Sequence, residues 1–202
     1  AHLFRRQDLR IPSDSLPRTL PETAGLDAWR TSVGRLIGEN RLSDGLFFPF
    51  PTSECDGDTA NQFLVNELKK APQSRGLILI SPAITPQQIE GFLAHPSIVG
   101  FKPYHLLGSA RPSFQAPLSA WIPNWAWEMA EERHLILMIH LVRDKALADP
   151  VNQRELLERL ERFPNARVVL AHAARGFHAP NTVQAVGRFR EFPNVWFDAS
   201  GI

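Results

Sequence analysis

The sequence predicts an α/β protein, most of a parallel (β/α)8 barrel, on three observations. Short apolar runs recur along the chain. Each is followed by a longer polar or amphipathic segment. Residues able to bind a metal stand where several of the runs end. A run that is apolar throughout, without in–out alternation, is the mark of a strand buried on both faces of a parallel sheet. Strand–helix units in series force parallel strands with right-handed crossovers. An open doubly wound sheet shares the alternation. No glycine-rich fingerprint follows an early run, and that favours the barrel.

The first strand is the start of the chain, around His2-Leu3-Phe4. A long, polar, proline-rich loop over residues 5–24 follows it, then a helix over 26–39 with apolar residues near helical spacing. Residues 45–50 (GLFFPF) are the next strand. The loop 51–58 carries Ser53, Glu54, Cys55 and Asp56 and leads into a helix over 59–70. Residues 76–81 (GLILIS) form a strand, and 85–94 form a helix opened by Thr85-Pro86, a cap followed by proline at the first helical position. Residues 98–104 (IVGFKPY) are a strand with a lysine inside it. A long loop over 106–123 precedes a helix over 119–134, and residues 135–141 (LILMIHL) follow as a strand. The helix 152–163 (NQRELLERLERF) is the plainest, with leucines on one side and Glu/Arg pairs on the other. The remaining elements are a strand over 166–172 (ARVVLAH), a helix over 181–192 and a strand over 194–199 (NVWFDA). Phe-Pro-Asn closes two helices, at 163–165 and 192–194, and a β-rich run follows each time. About seven of eight barrel strands are accounted for in one domain over residues 1–202, expected to be incomplete at both termini.

Composition narrows the function classes. A chain of 202 residues suits one domain, and a formal net charge of +1 gives no electrostatic reason for a nucleic-acid or anionic-membrane partner. No apolar run approaches the length of a membrane span, roughly 20 residues. Cys55 is the single cysteine, so no internal disulfide forms, which fits a reducing, cytoplasmic compartment.

Catalytic groups of a parallel barrel gather at the carboxyl ends of its strands. There the sequence places His2, Lys102, His140, His172 and Asp198. Neutral imidazoles converging on one point are what zinc or a similar divalent ion needs. Singly, each has a plainer reading. A histidine ending an apolar run is often a hydrogen-bonded structural group, and Asp198 alternatively caps the following turn. Lys102, interrupting an apolar strand, must pair, reach for solvent or act. His95, His134 and His178 read as turn or helix-end residues, and His105 stays open. Cys55 has no base paired with it in the sequence. Trp121, Trp125 and Trp127 make no single helical stripe and read as core.

At these residues the sequence resembles the amidohydrolase superfamily, in particular the amidohydrolase-related group that includes aminocarboxymuconate-semialdehyde decarboxylase-like enzymes, which are (β/α)8 TIM barrels. Ala1-His2 looks like the end of that family's His-x-His motif on strand one. Met138-Ile-His140-Leu is similar to the strand-five ligand, and Leu170-Ala-His-Ala-Ala-Arg-Gly176 to the strand-six motif. Residues 194–201 (NVWFDASG) are similar to the seventh strand. The resemblance implies His2, His140 and Lys102 as metal residues, His172 and Asp198 as catalytic residues, and a divalent cofactor, zinc first and manganese as the alternative. The first histidine of the pair and the strand-eight aspartate fall outside the sequence, and a bridging role for Lys102 stays open.

The resemblance implies a metal-dependent hydrolase that activates water against an amide, ester or lactone. A non-oxidative decarboxylase of a small aromatic or unsaturated acid is the alternative on the same site. A metal-free binding or structural barrel is the third reading. Arg5, Arg143 and Arg175 follow strand ends and are candidates to hold an anionic small-molecule substrate. The resemblance also admits a homodimer.

Overall fold

The computed structural model describes residues 1–11, 20–42 and 44–200. Part of the predicted 5–24 loop lies outside them. The strands are β1 (His2–Arg5), β2 (Thr23–Ala24), β3 (Leu46–Pro49), β4 (Arg75–Ile80), β5 (Ile98–Pro103), β6 (Ile136–Ile139), β7 (Arg167–Leu170) and β8 (Val195–Phe197). They form one sheet in the order β2-β1-β3-β4-β5-β6-β7-β8. The helices are α1 (Leu26–Ile37), α2 (Gly57–Leu68), α3 (Pro86–Leu93), α4 (Asn124–Arg133), α5 (Pro150–Arg162) and α6 (Ala179–Val186). Every apolar run read as a strand is one, and each predicted helical segment contains a helix. The α/β class with a mostly parallel sheet is therefore what the chain adopts. None of its described helices is long and apolar enough to cross a membrane.

The chain divides into two compact units, one of Ala1–Leu79 with Ile89–Val99, the other of Ile80–Gln88 with Gly100–Ile202. In the first, β1 pairs parallel with β3 and β3 with β4, while β2 adds to β1 antiparallel through Phe4↔Ala24. The sequence reading missed β2. Two residues are too short to carry an apolar pattern. Leu64, Leu68, Leu77, Ile78 and Leu79 are wholly buried and pack α2 beneath this part of the sheet. The buried Asn61 fixes their register. Its Nδ2 donates to the Leu79 carbonyl at 3.0 Å and its Oδ1 accepts from the Leu79 amide at 2.8 Å. One side chain thus satisfies both polar groups of a strand residue, as a neighbouring strand would.

Two acidic side chains start the helices of this unit. Helix α1 opens on Gly25, which has no side chain to cap it. Glu67, buried on α2, accepts the Leu26 amide at 2.8 Å and is paired with Lys70 at 2.5 Å. A carboxylate at a helix N-terminus also meets the positive end of its dipole. A Cβ on residue 25 would stand 2.4 Å from Glu67 Oε2, so the carboxylate would have to shift to admit a side chain there. Helix α2 is capped conventionally. Asp56 accepts the Thr59 amide at 3.1 Å and pairs with Arg10 at 2.7 Å.

The second unit holds the parallel series β5 (from Gly100), β6, β7 and β8. Leu137 and Ile139 on one face of β6 and Met138 on the other are buried, the two-faced burial a continuous apolar run requires, while in β7 Val168 and Leu170 are fully buried and Val169 between them is part-exposed. Gly100 stands opposite Ile136, where a Cβ would come within 2.1 Å of the Ile136 carbonyl oxygen. Helix α5 begins on Asp149-Pro150, with the Asp149 carboxylate accepting the Val151 amide at 2.9 Å. Asn152 donates to the carbonyls of Val142 and Ala146, both at 2.8 Å. Asn194 of the second Phe-Pro-Asn donates to Phe163 and Ala166 at 3.2 and 3.1 Å, tying it back to the first. The loop 106–123 contains three short 3-10 turns, and α4 starts only after Pro123.

The Asp56 cap gives a stability prediction with a definite pH sign. Hydrogen bonding from the Thr59 amide, with Arg10 adding its charge, outweighs burial and holds the carboxyl below its ordinary value. Its stabilisation is therefore present above the unfolded pKa and lost as pH falls through the folded one. Asp56→Ala should cost about 1 kcal/mol at neutral pH in denaturant unfolding. The gap between variant and parent should close below about pH 4, where an unfolded aspartate is protonated.

Candidate metal and substrate site

Four side chains of the second unit meet around His140, directly after β6. Lys102 and Tyr104 come from the end of β5 and the residue after it. His172 follows β7, and Asp198 follows β8. In a strand, residues two apart point to the same face. That places Lys102 and Tyr104 together, with Lys102 Nζ 4.6 Å from the Tyr104 ring centre. The Tyr104 ring stacks on His140 at 5.5 Å and 24°. His172 meets the same imidazole edge-on at 5.1 Å.

Burial governs the charges here. Lys102 is 2% exposed, and its amine donates to the Met138 carbonyl at 3.3 Å. Desolvation pushes its pKa down to about 7, against an upward pull from Asp198. His140 is pushed down to about 3, chiefly by burial, then by the neighbouring charges of Lys102, His172, His105 and Arg175. It is a neutral imidazole at any physiological pH. Burial pushes the Tyr104 phenol up. Burial also raises Asp198, but hydrogen bonds from the Ser200 side chain and amide, and the neighbouring His172, hold it below the usual carboxylate value. Asp198 is thus an ionised acceptor, with Ser200 Oγ at 2.5 Å and Ser200 N at 3.1 Å.

A left-handed turn carries His172 at the end of β7. Residues His172, Ala173, Ala174 and Arg175 all have positive φ, between 48° and 61°. None is glycine, and the left-handed region costs an L-residue roughly 1–2 kcal/mol. The turn persists because it is held at several points. The Gly176 amide donates to His172 O at 2.6 Å, the Ala173 amide to Asp198 O at 2.6 Å, and Thr182 Oγ1 to Ala173 O at 2.8 Å. Strain of this kind collects where a side chain must be aimed. Nothing in the sequence signalled it, since the glycine follows the turn instead of occupying it.

The predicted site residues thus separate into groups. Lys102, His140, His172 and Asp198 are brought together. Arg175 is beside them: its charge reaches His140 and His105, its Nη1 donates to Arg143 O at 3.0 Å, and its guanidinium lies 4.5 Å from the Phe114 ring centre. Arg143 is otherwise engaged, pairing with Asp149 at 2.8 Å and donating to the Gln115 carbonyl. Arg5, in the first unit, pairs with Asp8 at 2.7 Å and lies over Phe63. His2, also in the first unit, packs edge-on against Phe48 and Phe50. His105, left open by the sequence, bonds Ser113 Oγ through Nδ1 at 3.1 Å, and burial and Arg175 lower its pKa. Sequence reasoning passed over Tyr104 and Ser200. The spacing of Tyr104 two residues after Lys102 was the available signal.

Donor chemistry tests whether these residues suit a divalent ion. A carbonyl oxygen only accepts, so a ring nitrogen facing one must carry the proton. His2 Nδ1 faces Pro49 O at 3.1 Å and His172 Nδ1 faces Ser200 O at 2.5 Å. Each therefore keeps Nε2 as a lone-pair donor, the form a metal-binding histidine takes. His140 Nδ1 is buried without a hydrogen-bond partner among the described residues, an arrangement that costs free energy unless something binds it. The residues fit a metal as donors. No three His, Cys, Asp or Glu side chains among the described residues are gathered closely enough to hold one by themselves.

The amidohydrolase family matches residues 53–202. No curated protein matches the sequence. Among solved structures the chain is similar to 4-oxalomesaconate hydratase from Rhodopseudomonas palustris, with 16% identity and a TM-score of 0.56 over 91% of this chain and 64% of that one. It is similar to 5-carboxyvanillate decarboxylase from Sphingomonas paucimobilis, with 17% identity and a TM-score of 0.53 over 89% of this chain and 66% of that one. An uncharacterised TIM-barrel protein from Bordetella bronchiseptica matches at 12% identity and a TM-score of 0.50, over 87% of this chain and 59% of that one. At these identities the likeness shows a shared fold. The chain spans less than two thirds of the length of these three proteins.

Ala173→Gly should raise stability by about 1 kcal/mol, because glycine removes the Cβ penalty at positive φ. An equilibrium unfolding curve reads it; a lower midpoint would contradict the turn geometry.

Proposed function

We propose that this chain, which belongs to the amidohydrolase family, is part of a metal-dependent enzyme that hydrolyses an amide, ester or lactone bond in a small carboxylate substrate. The observation that carries the reading is His140, a neutral imidazole whose buried Nδ1 has no hydrogen-bond partner among the described residues, beside Lys102, His105, His172, Arg175 and the ionised Asp198. The planar guanidinium of Arg175 suits a carboxylate. Members of the family generally depend on a divalent metal. His140 would hold it, and zinc is the first candidate by ligand type, with manganese second. Bound there, the ion would supply Lewis acidity toward a substrate oxygen and lower the pKa of water.

The chain's own residues do the rest. His172, fixed through Nδ1 by Ser200 O, would accept or return a proton at Nε2. Asp198, held ionised by Ser200, keeps the His172 neighbourhood negative and favours the protonated imidazole as it forms. Lys102, with a pKa near 7, can hold either charge state against substrate oxygen. Arg175 would bind the carboxylate.

A second reading is non-oxidative decarboxylation of a small aromatic or unsaturated acid. The Arg175 guanidinium suits such an acid as well, and a solved protein of similar fold is named as the decarboxylase of 5-carboxyvanillate.

Elemental analysis of the intact protein should find about one equivalent of zinc or manganese, lost in His140→Ala. No metal after purification in metal-supplemented buffer would overturn the reading. Arg175→Met should raise KM about tenfold for carboxylate substrates and leave neutral analogues unchanged; product analysis separates hydrolysis from carbon dioxide release.

A further inference from the structure

The histidines of this chain are held in two different ways. His2 and His172 are each locked by a backbone carbonyl on Nδ1. His140 has no such lock among the described residues, for its Nδ1 is buried without a hydrogen-bond partner there. A histidine that binds a metal ordinarily has its second ring nitrogen held by a carboxylate or carbonyl, which sets ring orientation. Something else must orient His140.

We propose that Tyr104 is the positioning residue of His140, holding the imidazole by ring stacking in place of a hydrogen bond. The inference rests on the reading of His140 as a metal-binding residue. Three contacts support it. Tyr104 lies 5.5 Å from His140 at an interplanar angle of 24°, a stacked pair. His172 closes the edge of the same imidazole at 5.1 Å and 73°, so the ring is confined on a face and at an edge. Lys102 Nζ lies 4.6 Å from the Tyr104 ring centre, so one aromatic ring touches both the lysine and the histidine.

The arrangement has a chemical reason. A hydrogen-bonding partner on Nδ1 would fix one tautomer of His140. Stacking fixes the plane of the ring and leaves Nδ1 uncommitted. It also keeps the imidazole beside apolar surface, where its neutral form is favoured. The aromatic face tolerates a neighbouring ammonium through its quadrupole. Lys102 and His140 therefore contact the same aromatic ring, with the Asp198 charge also reaching the lysine.

The experiment compares Tyr104→Phe and Tyr104→Leu with the parent, in two measurements. The first is NMR of the His140 ring in metal-free protein, assigned with His140→Gln. The parent and Tyr104→Phe should give one sharp set of ring signals, and Tyr104→Leu should give broadened or doubled signals while its other resonances stay dispersed. The second is competition for zinc against a chelator. Tyr104→Phe should bind as the parent does, and Tyr104→Leu about tenfold more weakly. Sharp, single His140 signals in a folded Tyr104→Leu protein would overturn the proposal, as would parental zinc affinity in that variant. If the parent binds no zinc, the metal reading fails, and the ring signals alone still decide the positioning role.

Discussion

Exclusion of water from both faces of the apolar strands is the constraint on which the rest depends. Leu77 to Ile80 in β4 and Leu137 to Ile139 in β6 are buried on both faces, and Val168 and Leu170 are buried on one face of β7. Such strands have no room for polar side chains along their length. Polar chemistry is confined to their ends, where it meets a dry environment. That is why Lys102 and His140 are pushed toward their neutral forms by burial before any neighbour acts. The core that stabilises the fold also sets the protonation states of the site.

Backbone groups at the strand ends impose a second demand, since each buried N–H or C=O needs a partner. Buried asparagines answer it repeatedly. Asn61 bonds both polar groups of Leu79, Asn152 gathers two loop carbonyls, and Asn194 joins the two Phe-Pro-Asn junctions. These amides hold loops to strands without charge. The loop after β6, which follows His140, is held by Asn152 through neutral hydrogen bonds, which salt does not weaken.

How much the sequence disclosed follows from the range of each interaction. The runs at 76–81 and 166–172 announced strands because their apolar character is continuous and local. Helix α5 was plain because its leucine spacing and Glu/Arg pairs lie within one segment. Lys102, His140, His172 and Asp198 were legible as strand-end polar residues, and the fold brings them together. The two-residue strand β2 carried no pattern. The left-handed turn at 172–175 has no glycine to mark it; contacts from Asp198 and Thr182, distant in sequence, hold it. Arg143 read as a substrate ligand because Asp149 and Gln115, its actual partners, can be recognised only once the loops have folded. Tyr104 was overlooked because a tyrosine in an apolar strand reads as packing.

Gly25 and Glu67 show what such long-range contacts mean for the history of the chain. They are far apart in sequence, yet the carboxylate that begins α1 occupies the space where a residue-25 side chain would go. A side chain at 25 would push Glu67 off the helix start, and a shorter residue at 67 would leave that start uncapped. Neither position can drift alone without loss. Across descendants the two should change in concert, so that a pairing made by physics becomes a correlation readable in inheritance.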